Sequence, residues 1–215
     1  MTGPEPATGQ EPEPGTDEPP GLFGAPKPEG GEPIFARGGV RCTLSFNVRK
    51  SGTYYFLTTG ACAEVGLKIY ADPALTVELG TVVAVTNTAT GLVRYVNPRV
   101  ERPGSVRTPT GSQDVTAARS PEVGRRACRT SAVTGIKCGT VTARDQSVRF
   151  QKGTITGLAR TTICTRRGET PGAPYLSGTF ALGLRMGAGE NCAGGGSSFF
   201  QPIDEVLSAF GVNVY

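Results

Sequence analysis

Residues 191–215 read NCAGGGSSFFQPIDEVLSAFGVNVY, and they hold the one stretch with helical periodicity. Ile203, Val206, Leu207 and Phe210 recur at i, i+3, i+4 and i+7, which lines one face of a helix. Pro202 suits a first helical position, Asp204 and Glu205 complement the helix dipole in the first turn, and Gly211 is a stop. Upstream the pattern changes to short alternating runs: Cys42 to Val48, Tyr54 to Thr58, Val77 to Thr86, Gly91 to Val96, Lys137 to Ala143, Gln146 to Phe150, Ile155 to Ile163 and Phe180 to Met186. Each is rich in Val, Ile, Thr, Tyr or Phe, with turn residues between. Many short strands closed by one amphipathic helix predict an all-β barrel or sandwich body.

Composition agrees. Glycine (31) and proline (17) supply 48 of 215 residues, against 19% charged residues, the profile of a turn-rich β protein. Six cysteines, an even number, fit three disulfides in an oxidising setting. Histidine is absent, so no Ser/His/Asp relay, no histidine-ligated zinc and no imidazole switch can form. The net charge of +4 is divided: residues 1–35 hold seven acids and one base, net −6, and the other 180 hold 21 bases and 11 acids, net +10. Such a body attracts acidic partners or an anionic surface or polymer, the plain alternative being a solvated surface.

Residues 1–35 carry nine of the 17 prolines and few large apolar groups, too few to offset the entropy of ordering. They are read as an extended, partly polyproline-II arm before a body at 36–215. Leu22 and Phe23 are its docking point for a protein partner or a neighbouring subunit, with an incidental apolar pair as the alternative. No basic-then-apolar leader opens the sequence, so an ordinary signal peptide is not expected, and no apolar run is long enough to span a membrane.

Seven blocks then carry a resemblance: GGVRCTLSFNV (38–48), YYFLTTGAC (54–62), GLVRYVN (91–97), CGTVTAR (138–144), GLARTTIC (157–164), SGTFALGL (177–184) and residues 191–215. In this order they resemble the streptogrisin-type bacterial proteases of the chymotrypsin, or trypsin-like, serine protease family. The resemblance implies two perpendicular six-stranded β-barrels with a terminal helix. It also implies disulfides Cys42–Cys62, Cys128–Cys138 and Cys164–Cys192, and an extracellular or virion setting.

The family's catalytic residues do not carry over. Ala61 stands where the family has its general-base histidine, and Ala89 where it has the orienting acid. The nucleophile motif Gly-Asp-Ser-Gly-Gly-Pro is matched by Gly168-Glu169-Thr170-Pro171-Gly172-Ala173-Pro174. Counting from Cys164 puts Thr170 in the serine slot, whereas anchoring on Gly172 and Pro174 puts Pro171 there. A threonine hydroxyl needs a neighbouring base, and proline has no N–H for an oxyanion hole. Met186, Gly187 and Ala188 replace the family's Ser-Gly-Gly run and alter the substrate groove.

Other constellations are thin. Asp204 and Glu205 are helix neighbours that point apart, the glycine run at 194–196 belongs to the family's own loop, and the cysteines have no metal-ligand spacing. No cofactor is expected. Two arginine groups, Arg119, Arg125, Arg126 and Arg129 and then Arg166 and Arg167, suit carboxylate or phosphate, but without interleaved aromatics they do not suggest nucleic acid. The resulting expectation is a serine protease homologue that is not an enzyme, reused as a binding or structural module. A bacteriophage virion component and a residual serine-type endopeptidase are the alternatives.

Overall fold

The computed structural model describes residues 26–150, 153–166, 168–188, 192 and 196–215. The first sheet comprises β1 (Pro33–Ala36), β2 (Val40–Thr43), β3 (Asn47–Lys50), β4 (Thr53–Thr59), β5 (Lys68–Tyr70), β6 (Glu78–Val85) and β7 (Thr90–Tyr95), in the order β2-β1-β5-β6-β7-β4-β3. β2 and β3 are halves of one bent strand. Between them, Ser45 N–H donates to Leu57 O at 2.7 Å and Leu57 N–H to Phe46 O at 2.9 Å, so the stretch still runs beside β4. One segment therefore forms both ends of the sheet and rolls it into a barrel. Ile34, Leu44, Phe56, Ile69 and Val93 fill its interior.

A hairpin of β8 (Ser105–Thr108) and β9 (Gly111–Asp114) links to the second sheet. That sheet comprises β10 (Ala117–Ala118), β11 (Arg126–Ser131), β12 (Gly135–Phe150), β13 (Gly153–Thr161), β14 (Pro174–Ser177), β15 (Phe180–Ala188) and β16 (Ser198–Pro202). Its order is β10-β15-β14-β11-β12-β13-β16, and β16 also pairs with β15, which closes a six-stranded ring. Tyr175 stacks on Phe200 at 4.6 Å inside it. A third apolar cluster joins the barrels through Phe46, Leu57, Leu92, Leu184 and Ile203. The terminal helix α1 spans Ile203–Phe210, with Pro202 just before it and Gly211 ending it in the left-handed conformation at φ 62°. This is the two-barrel chymotrypsin-like fold with a C-terminal helix.

Disulfides join Cys42 to Cys62, Cys128 to Cys138 and Cys164 to Cys192. Three such links fit an oxidising, extracellular environment. Among the described residues no helix is long and apolar enough to cross a membrane.

Two expectations need correction. The runs at 137–143 and 146–150 form one continuous strand, β12, because Asp145 at φ 53° makes a bulge rather than a turn. The arm expected over 1–35 is folded from Pro26 onward. Pro26 O accepts from Glu101 N–H at 2.9 Å, Pro28 O from Asn47 Nδ2 at 2.9 Å, and Gly30 N–H donates to Ser105 O at 3.0 Å. Glu29 is buried against the Ser105 hydroxyl, and Ile34 lies in the first core. Backbone partners, which composition does not register, order this polar stretch. Leu22 and Phe23 lie outside the described residues.

Candidate active-site cleft

An apolar cavity of about 490 Å³ opens between the barrels, lined by Gly60, Ala61, Ala63, Ala89, Phe150, Ile155 and Met186. Strand β4 delivers the first three through a short 3₁₀ turn at Gly60–Cys62. Ala89 sits in the tight turn between β6 and β7 at φ 56°, a conformation that costs a non-glycine residue energy. Gly60 N–H donates to Ala89 O at 3.3 Å, so Ala61 and Ala89 are neighbours although 28 positions apart in sequence. None of the lining side chains ionises. Phe150, at the end of β12, was not singled out from the sequence. Its ring rests on Gly187, where an added Cβ would lie 2.3 Å from Cε1. Only its place as the last apolar residue of an alternating run hinted at this role.

The Thr165–Gly172 loop, from the second barrel, meets the rim of this cavity at Gly60. Thr170 points its hydroxyl at Thr43, Oγ1 to Oγ1 2.5 Å, while the Pro171 ring packs 3.4 Å from the Cβ direction of Gly60. Gly172 adopts φ 96°, where a Cβ would come 2.8 Å from Thr43 O, so glycine is required at this crossing. Its N–H donates to Arg185 O at 2.8 Å, and its carbonyl accepts from the Ser45 hydroxyl. The loop is thereby pinned to both barrels.

Beneath the loop, Arg129 Nη2 lies 2.5 Å from Glu169 Oε2, with both side chains sealed from water. This is a charge contact rather than an aligned hydrogen bond, since Oε2 has no well-directed donor. Glu169 Oε1 accepts from Thr134 Oγ1 at 2.7 Å, and Arg129 Nη1 donates to Thr165 Oγ1 at 2.9 Å. Arg129 was expected on a partner-binding surface. It is fully buried instead, because a guanidinium fork can be satisfied internally by a carboxylate, a hydroxyl and a carbonyl. Arg185 is a second buried guanidinium, donating through Nη1 to Glu169 O at 3.1 Å. Burial, and then the charge of Arg129, hold its pKa below the ordinary arginine value.

Of the other arginines, Arg125 pairs with Glu122 at 2.5 Å, Arg119 lies over the Phe180 ring at 3.6 Å, and Arg126 and Arg166 are exposed. Arg167 lies outside the described residues. Met186 faces the cavity, Gly187 pairs with Phe199, and Ala188 pairs through its backbone with Ser198. Asp204 accepts from the Ser120 hydroxyl and Glu205 from Gln201, so they do not form a working pair. No group of three potential metal ligands occurs among the described residues.

Comparison with known proteins supplies the lineage. The chain is 35% identical over 194 residues to Glutamyl endopeptidase 2 of Streptomyces griseus, covering 86% of itself and 98% of that relative. It is 38% identical over 174 residues to Serine protease 2 of Streptomyces fradiae, covering 79% of itself and 99% of that relative. The chain belongs to the streptogrisin-type, trypsin-like serine proteases. No family model matches the streptogrisin-type chain. It shares 36% identity over 187 residues with Streptogrisin-A of Streptomyces griseus, and spans 60%, 47% and 52% of the length of Streptogrisin-A, Streptogrisin-D and Serine protease 1 of Streptomyces fradiae. Among solved structures, "Alpha-lytic protease homolog N4" superposes with a TM-score of 0.79 at 40% identity, covering 88% of the streptogrisin-type chain and 100% of that chain.

These relatives correct the expectation that the chain is not an enzyme. Those it matches over 98% and 99% of their length are named as an endopeptidase and a serine protease. They give no support to the virion alternative or to a purely structural role.

Proposed function

We propose that the chain is a residual serine-type endopeptidase that acts on polypeptide laid in the cleft between the barrels. What carries this reading is a hydroxyl-bearing residue, Thr170, on a loop pinned to both barrels, in a chain whose near-full-length relatives are named as proteases. We read Ala61 and Ala89 as occupying the places where the family has its base and orienting acid. Thr170 is read as the attacking hydroxyl, with Thr43 holding it in place. Pro171 is the other occupant of that slot.

The chemistry follows from what the cleft retains. Without an imidazole, proton removal from Thr170 falls to water, and the attack is slow. In serine proteases stripped of triad members, binding and fixed dipoles alone keep rates about 10³–10⁴-fold above water. Pro171 has no N–H to give an oxyanion hole, so we read that range as a ceiling, and bound polypeptide would leave far more often than it is cut.

A fluorogenic peptide assay at high protein concentration tests the reading. Measurable turnover that drops to the buffer rate in Thr170→Ala supports it. A buffer rate in the unaltered chain, or an unchanged rate in Thr170→Ala, sinks it.

A further inference from the structure

A cavity of about 360 Å³ lies between the β6–β7 turn and helix α1. Residues 85–88 line it on the turn side, and the next residue, Ala89, borders the cleft cavity. On the other side Val206, Ala209 and Phe210 give it an apolar wall, which Gln201 of β16 and Glu205 of the first helical turn complete.

The polar pair in this wall is not satisfied. Gln201 is only 1% exposed, and its Nε2 donates to Glu205 Oε2. An amide beside a carboxylate has to present its NH2 group, so the amide oxygen is the atom left over. Gln201 Oε1 is indeed buried with no donor among the described residues. Such an oxygen costs free energy until an N–H or O–H reaches it.

Charge is unbalanced at the same place. Among the described residues no cation lies within ion-pair distance of Glu205. Asp204 and Asp145 act on it as like charges, and Arg144 as an opposite one. Burial, and then Asp204, hold its carboxyl above the ordinary glutamate value, so this group is short of positive charge. In a body of net +10 over residues 36–215, it is a local attractor for a cation.

We propose that the cavity between the β6–β7 turn and α1 is a binding site for an alkylammonium group, whose stem lies on the apolar wall and whose NH3⁺ donates to Glu205 and to Gln201 Oε1. An ammonium carries three donors on one atom and can serve two acceptors in different directions, and a flexible alkyl stem suits apolar walls. A free aliphatic amine and the lysine side chain of a polypeptide share this chemistry. The site does not depend on the endopeptidase reading.

Backbone-amide NMR titrations of the full chain at pH 7.5 test it, with pentylammonium, pentanol and acetyl-Gly-Lys-Gly-amide as probes. Pentylammonium is expected to shift the resonances of residues 85–88 and of α1, and to bind at least about tenfold tighter than pentanol. Glu205 is exposed, so Glu205→Gln should keep the fold and remove that advantage. Ala209→Phe, which fills the cavity and leaves both acceptors in place, should abolish binding. Equal binding of amine and alcohol, or an advantage that survives in Glu205→Gln, overturns the proposal. So do undiminished binding by Ala209→Phe and shifts confined to residues away from the cavity. The lysine peptide separates the sources: binding tighter than that of pentylammonium supports a polypeptide lysine as occupant, and weaker binding supports a free amine.

Discussion

Arg129 and Glu169 meet at 2.5 Å with both side chains shut off from solvent, and their contact ties strand β11 to the loop that carries Thr170. Removing one partner of a buried ion pair costs about 3–5 kcal/mol, because the other charge is stranded. The two truncations should nevertheless differ. Arg129→Met leaves Glu169 free to turn to Arg185, whereas Glu169→Gln leaves two guanidiniums with no carboxylate between them. Urea unfolding should therefore show the larger loss for Glu169→Gln; equal losses would mean that Arg185 does not feel Glu169.

Gly80 on β6 passes so close to β7 that an added Cβ would lie 2.1 Å from Arg94 O. The obstacle is backbone in a paired strand, which cannot rotate aside. Gly80→Ala is expected to destabilise by about 1–3 kcal/mol, the usual cost of overpacking. A thermal melt unchanged by the substitution would contradict the Gly80–Tyr95 register.

Tyr215 donates its hydroxyl to Arg102 O at 2.5 Å, and burial followed by the nearby Tyr54 pushes its pKa to about 12, above the ordinary 10.0. The folded state therefore keeps this proton where the unfolded chain has lost it. The sign is fixed by linkage: its contribution is complete below pH 10 and is lost as pH rises from 10.0 towards 12. Tyr215→Phe should flatten stability over that window, and the difference in phenolate absorbance between the two proteins should titrate near 12. A difference centred at 10.0 would rule out a buried phenol.

Ala61 borders the cavity next to Gly60, the residue that Pro171 of the loop packs against. Ala61→His would supply an imidazole, a side chain the sequence lacks, and such general bases contribute about 10²–10⁴-fold. Turnover of the fluorogenic peptide should rise by about 10²-fold or more, with a pH dependence centred near 6.5. No gain in a correctly folded variant would show that Ala61 is not where a base is needed.

Legibility in the sequence tracked how local each signal was. The helix at 203–210 and the strands around Tyr54, Gly91 and Ile155 could be read because their apolar period lies within one segment. Short strands such as Lys68–Tyr70 and Pro174–Ser177 left no period to count. The segment from Pro26 looked unfolded because its partners at Ser105 and Asn47 are far away in sequence. The same limit applied to the site. Ala61, Ala89 and Met186 were picked out by resemblance, but Phe150 and Arg185 matter only through what folds against them. The burial of Arg129 was invisible, since an arginine among arginines looks exposed until its carboxylate is located.

Strand β16 lies between β13 and β15, and residues 198–202 are the piece that turns an open sheet into a ring. During synthesis the second barrel must wait with an unpaired edge on each side of that gap until those residues leave the ribosome. The first barrel depends in the same way on residues 90–95, which pair with both β4 and β6, and is complete before any strand of the second sheet is made. Assembly is thus ordered in time, and the loop that carries Thr170 can meet both its anchors, Ser45 and Arg185, before residues 198–202 arrive to close the ring.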